Sequence, residues 1–276
     1  MKDFLLEIVY AIMGVGAASG IWYRNDTVYL ISDDSNYLYA YSADKGTLQK
    51  TLLVTGDKTD ERLPKKMKRD FEAIAFDETN FYVYGSGSSD DGKRNMRSVV
   101  SSSGEGPAQT QTLTPLYTRL QQQFAVDIDN FNIEGVIHYR DDIYLFNRGN
   151  GPRAVNGVFK IGGNRDTTFI PVELPSLNGV GTGFTDAILV DDTVYFLAAA
   201  EDAGSVYHDG AVQGTVLGRL SFPGMELLHC VQISDTHKFE GLTLFADSIE
   251  KISFLLCEDP DDGSAKSTIY KLTLTK

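Results

Sequence analysis

The sequence predicts an all-β fold: a five-bladed β-propeller of four-stranded antiparallel blades, with the last blade closed by the N-terminal strand. Three observations carry this. Five segments share one local pattern, a polar residue followed by Gly or Ala and then by a branched aliphatic: Ala18-Ser19-Gly20-Ile21, Phe71-Glu72-Ala73-Ile74, Ile133-Glu134-Gly135-Val136, Thr185-Asp186-Ala187-Ile188 and Phe239-Glu240-Gly241-Leu242. They recur roughly every 50 to 60 residues, a spacing that suits several short strands per propeller blade. Finally, the fifth repeat reaches Lys276 without a fourth strand, while an orphan strand, Asp3–Tyr10, precedes the first repeat.

The elements follow in order. Each repeat opens on an inner strand, and in the first four a short polar turn follows: Arg24-Asn25-Asp26, Asp77-Glu78-Thr79-Asn80, Arg140-Asp141-Asp142 and Asp191-Asp192. Second apolar strands are expected at 27–32, 81–85, 143–147, 193–198 and 252–257. Third strands fall at 37–42, 97–103, 155–161, 216–222 and 268–274, and fourth strands at 48–54, 111–117, 168–174 and 227–233. Phe4–Val9 then pairs with 268–274 and completes the fifth blade. The reading is one domain over 1–276, with blades starting near 17, 70, 132, 184 and 238. No segment sustains a helical apolar period, so helices have little room, and the Gln-rich stretch at Gln121–Gln123 reads as an inter-blade connection.

Composition bounds the function. With 38 Asp and Glu against 25 Lys and Arg, the net charge of −13 argues against nucleic acid as a partner, because phosphate backbones demand the opposite sign. No apolar run has the roughly 18 residues of a membrane span. Asp3 and Glu7 interrupt the apolar stretch 4–18 and no small-x-small site follows, which argues against a secretion signal. Cys230 and Cys257 lie in apolar strand-like runs and read as reduced thiols, which points to the cytoplasm. Oligomeric state is left open.

In a propeller the inner strands line a central channel, so a residue repeated on each of them forms a ring. The ring expected here is Ser19, Glu72, Glu134, Asp186 and Glu240. Four carboxylates converging on one channel repel unless they are protonated or bridged by a cation. Hard oxygen donors with no His suit Ca²⁺, with Mg²⁺ second and Zn²⁺ disfavoured. A solvated tunnel is the plain alternative.

The exits of the second strands lie at the mouth of this ring: Asp33 and Asp34, Ser86 with Asp90 and Asp91, Asn147 and Arg148, Glu201 and Asp202, Glu258 and Asp259. Long polar connections follow them, and such loops on a rigid scaffold are where chemistry usually sits. Carboxylates mixed with Arg148, Arg153, Lys93 and Arg94 suit an anionic small molecule held through a cation. The candidate catalytic residues are Asp33 or Glu201 as base and Arg148 as the group stabilising developing charge.

These residues resemble the calcium-activated nucleotidases of the apyrase type, and also related uncharacterised bacterial β-propellers. The resemblance lies in Lys238-Phe239-Glu240-Gly241-Leu242 as a last-blade signature, in Ser19 followed by the Asp33-Asp34 strand end, and in Glu72, Glu134 and Asp186 as the rest of the ring. It implies a five-bladed propeller with a central calcium held by Ser and Glu side chains, and Arg148 directed at nucleotide phosphates. Asp186 stands where the resemblance expects a Ser. The function expected is hydrolysis of a phosphoanhydride or phosphoester; a non-catalytic propeller that binds a small ligand or protein around a structural ion is the alternative.

Other motifs carry less. Gly14-Val15-Gly16-Ala17-Ala18-Ser19-Gly20 lacks the Lys and following helix of a phosphate loop and reads as the entry to the first blade. Lys65-Lys66-Met67-Lys68-Arg69 reads as a solvated loop. His138, His208, His229 and His237 show no metal-ligand spacing, and His208 alone merits a test for chemistry. Asp261-Asp262-Gly263 reads as a hairpin turn.

Overall fold

A computed structural model describes residues 4–55, 61–150, 153–202, 211–259 and 263–276. His208 and the turn at Asp261-Asp262 lie outside the described residues. Strand β1 (Phe4–Met13) is followed by five antiparallel sheets in chain order. The first blade is β2 (Ala18–Arg24), β3 (Thr27–Ser32), β4 (Tyr37–Ser42) and β5 (Thr47–Leu52). The second is β6 (Phe71–Phe76), β7 (Asn80–Gly85), β8 (Met96–Ser101) and β9 (Gln109–Thr112). The third is β10 (Ile133–Tyr139), β11 (Asp142–Asn147), β12 (Gly157–Ile161) and β13 (Thr167–Pro171).

The fourth blade carries an extra two-residue strand, β14 (Ser176–Leu177), paired to β15 (Val180–Val190), then β16 (Thr193–Asp202), β17 (Ala211–Ser221) and β18 (Leu227–Ser234). The fifth is β19 (Phe239–Asp247), β20 (Lys251–Glu258) and β21 (Lys266–Thr275), completed by β1. The closure is the expected one: Phe4 pairs with Leu274, Leu6 with Leu272 and Met13 with Lys266. Each inner strand touches the next, β2 to β6 to β10 to β15 to β19 and back to β2, so the five blades form a closed ring.

The repeated sequence pattern has a geometric cause. In every inner strand the pairing register slips by one residue, at Ser19, Glu72, Glu134, Thr185 and Glu240. A bulge leaves one residue unpaired and re-aims its side chain, here towards the axis. In the third and fifth blades the residue after it must be small because the neighbouring blade's backbone abuts it. A Cβ on Gly135 would lie 2.9 Å from the amide nitrogen of Ala187, and one on Gly241 at 2.9 Å from that of Ile21. The aliphatic that follows packs between blades, where Ile21, Ile74, Val136, Ala187 and Leu242 are all buried.

Helix was not expected between the second and third blades, yet α1 (Thr114–Phe124) lies there. The expected strand at 111–117 is shortened to β9, and the chain turns helical at Thr114. Pro115 fits the first helical turn, and Tyr117, Leu120 and Phe124 follow at helical spacing. The stretch is too short and too rich in Gln for its period to stand out. Tyr117 and Leu120 are buried in the core between those blades, and the Tyr117 hydroxyl donates to the Gly85 carbonyl at 2.9 Å. Among the described residues no helix is long and apolar enough to cross a membrane.

The same inter-blade seam holds His138. Arg97 Nη1 donates to the Tyr84 hydroxyl at 3.0 Å, and that hydroxyl shares a 2.8 Å hydrogen bond with His138 Nε2. Burial, helped by Arg97, lowers the imidazole from 6.5 to about 4. A depressed histidine contributes stability above its unfolded value that is lost as pH falls through the folded value. Wild type therefore loses up to about 3 kcal/mol relative to His138→Gln between pH values of about 6.5 and 4. Parallel urea titrations check this, and equal pH slopes for the two proteins would contradict it.

Candidate cation site in the central channel

The ring forms at Ser19, Glu72, Glu134, Thr185 and Glu240. Thr185, not Asp186, takes the bulge position in the fourth blade, so a hydroxyl stands where the sequence pattern was aligned on a carboxylate. Asp186 sits one residue later, at the position held by Gly or Ala in the other blades. Its carboxylate crosses to the next blade, accepting from the amides of Ala187 and Leu242, each at 2.7 Å. Burial pushes it well above the usual carboxylate range, against those two hydrogen bonds. The two ring hydroxyls are also used structurally: Ser19 donates to the Phe71 carbonyl and Thr185 to that of Phe239.

Two of the three ring glutamates are neutralised by the protein's own cations. Arg148, at the exit of β11, places Nη1 at 3.4 Å from Glu134 and Nη2 at 3.1 Å from Glu201, at the exit of β16. Lys238 Nζ lies 2.9 Å from Glu240 and 3.5 Å from Glu201. One chain of charges, Glu134–Arg148–Glu201–Lys238–Glu240, thus ties blades three, four and five together. Burial alone would lower Arg148 and Lys238, but the carboxylates beside them hold both above their ordinary values. Burial raises Glu134 to about 7 against the pull of Arg148.

Glu72 differs from its ring neighbours. Its carboxylate has no hydrogen-bond or ion-pair partner among the described residues, and burial with the nearby charges of Asp70, Glu134, Asp33 and Glu240 pushes it well up. Beside it stand Asp33, at the exit of β3, and Asp70, two residues before Glu72 on the same strand approach. Carboxylate oxygens of these three all lie within 4.8 Å of one another. Asp33 Oδ2 accepts from Lys68 at 2.5 Å, while its buried Oδ1 has no partner. Burial raises Asp33 to about 7 despite Lys68. Asp70 Oδ2 takes Arg94 at 2.7 Å and the Ser86 hydroxyl.

The structure therefore brings Asp33 to Glu72, and Arg148 and Glu201 to Glu134 and Glu240. The rim residues fare differently. Arg153 pairs with Asp127 and Lys93 with Asp91, both exposed. Glu258 turns to His237 and Tyr270, and Asn147 serves backbone groups. Lys68, expected in a solvated loop, is drawn in by Asp33. Asp70, Lys238 and Asn132 were missed, yet each lies two residues before a ring residue, on the approach to an inner strand. Asn132 Nδ2 indeed donates to Glu134.

The sequence as a whole matches one family over residues 14–274, a span that takes in the entire ring. The chain belongs to the family of unknown function DUF6929. No curated protein matches the sequence. Solved structures match the family fold: the major allergen Mala s 1 of Malassezia sympodialis has a TM-score of 0.59 at 10% identity, covering 99% of this chain and 96% of that one. Glutaminyl cyclase of Myxococcus xanthus follows at 0.53 and 8%, covering 97% and 96%. A luciferin-regenerating enzyme stands at 0.51 and 8%, covering 98% and 95%. At such identities the likeness is one of fold. It carries the propeller of the nucleotidase resemblance and nothing of its substrate, because the scaffold hosts enzymes and other proteins alike.

Proposed function

We propose that the channel of this DUF6929 protein binds one divalent cation through Asp33, Asp70 and Glu72. The observation that carries the reading is that the half-buried Glu72 carboxylate has no partner among the described residues and the buried Asp33 Oδ1 has none either, with carboxylate oxygens of both within 4.8 Å of one on Asp70. Lys68 and Arg94 each offset one acid of the cluster, Asp33 and Asp70, which leaves the Glu72 carboxylate as the charge that a cation would compensate. Two oxygens bound to one Ca²⁺ lie at most about 5 Å apart, so the observed spread fits that ion, and an all-oxygen donor set suits it. The site is displaced from the axis towards blades one and two, in contrast to the symmetric ring that the sequence suggests.

The ligand proposed is an anionic small molecule, and the reaction hydrolysis of a phosphoanhydride or phosphoester. A bound cation supplies Lewis-acid charge and a place for water. Asp33 holds the cation in this arrangement, Glu201 orients Arg148 and Lys238, and Arg148 faces the channel as the group for developing negative charge. One observation favours the second reading, a non-catalytic propeller with a structural ion: Arg148 already bonds two carboxylates and must release one to meet an anion.

A panel of nucleotides and phosphomonoesters tests the choice. The hydrolase reading predicts turnover that disappears with chelator and in Glu72→Gln while the fold persists. Absence of turnover with Ca²⁺ bound contradicts it and leaves the structural ion.

A further inference from the structure

The five outer edges of the propeller are not alike. Strand β9 is four residues of exposed Gln and Thr, β5 carries Lys50, β13 ends on Pro171, and β18 is broken by two register shifts. Short length, charge, proline and bulges are the devices by which natural sheets keep exposed edges from pairing. Strand β1 has only one of them over its first half. It is ten residues long, its segment Phe4–Ile8 is unbroken until the bulge at Val9, and it contains a single charge, Glu7. Half of the exposed large hydrophobic side chains among the described residues lie on it: Phe4, Leu5, Ile8 and Met13.

We propose that the Phe4–Ile8 edge of β1 pairs antiparallel with the same edge of a second copy, joining two fifth blades into one continuous sheet. A twofold interface requires a self-complementary patch, and this segment is one. Centred on Leu6, the pairing sets Phe4 opposite Ile8 of the second copy and Leu5 opposite its Glu7, so no like charges meet across the edge. Glu7 is further matched by Lys271 on the adjacent strand, at 3.5 Å. A chain of net charge −13 repels its own copies elsewhere, and this locally neutral, apolar edge is where approach costs least. Five residues at about 3.3 Å each give a paired length of about 17 Å, that of an ordinary strand.

Sedimentation equilibrium of the full chain over a concentration series tests the proposal. The expected result is a reversible dimer, weakened at least about tenfold in the Leu5→Lys/Ile8→Lys double variant. Both side chains are exposed in the single copy, so the variant keeps the wild-type thermal melt of the monomer. Hydrogen exchange provides a second measure, with β1 amides protected at high concentration and released on dilution in step with the dimer. A chain that stays monomeric throughout, or a dimer untouched by the double variant, overturns the proposal.

Discussion

Arg148→Met destabilises the protein by about 3–5 kcal/mol, as expected when one partner of a buried ion pair is removed. The guanidinium bonds Glu134 of the third blade and Glu201 of the fourth. Its loss strands both carboxylates in a channel that already pushes Glu134 up to about 7. Lys238 still reaches Glu201, but it is also the partner of Glu240, so one cation is left for three acids. Arg148→Lys lies between, since an ammonium lacks the fork that meets two carboxylates at once. Adding Glu134→Gln to Arg148→Met recovers part of the loss. Denaturant unfolding reads all three, and a loss below about 1 kcal/mol would show that channel water screens the network as it does at a surface.

Calcium at a hundredfold excess over its dissociation constant stabilises the protein by about 2.7 kcal/mol. In a chain of this size that raises the melting temperature by several degrees, at about 2–4 °C per kcal/mol. The informative variant is Glu72→Gln, because its two effects have opposite sign. With calcium it abolishes the rise. Without any cation it stabilises, since a neutral amide replaces a buried carboxylate crowded by Asp33 and Asp70. Glu240→Gln serves as the contrast: it strips a partner from Lys238 and lowers the melting temperature under both conditions. A Glu72→Gln protein that melts lower than wild type in chelator would contradict this account.

The blade repeat was legible because the fold imposes it residue by residue. A bulge aims one side chain at the axis, the next residue meets a neighbouring backbone in the third and fifth blades, and the one after it fills the seam between blades. The closing strand was legible through an unpaired remainder at each end of the repeat train. Position Asp186 misled for a physical reason: alignment by residue type matched one acid to others, whereas hydrogen-bond register put Thr185 there and used the acid as an inter-blade clasp. The common link of Arg148 and Lys238 to Glu201 was hidden because the first comes from the third blade, the second from the edge of the fifth, and Glu201 from the fourth. The cluster itself was half visible. Glu72 and Asp33 stood out by position, and Asp70 was overlooked because only the inner-strand ring residue was followed, not the one two places before it.

The most direct measurement is calorimetric titration of the chelator-stripped protein with calcium, beside Glu72→Gln and Asp70→Asn. The account predicts one saturable site per chain in the wild type and none in either variant. Binding that is absent in the wild type, or that survives unchanged in both variants, would remove the cation site from the channel.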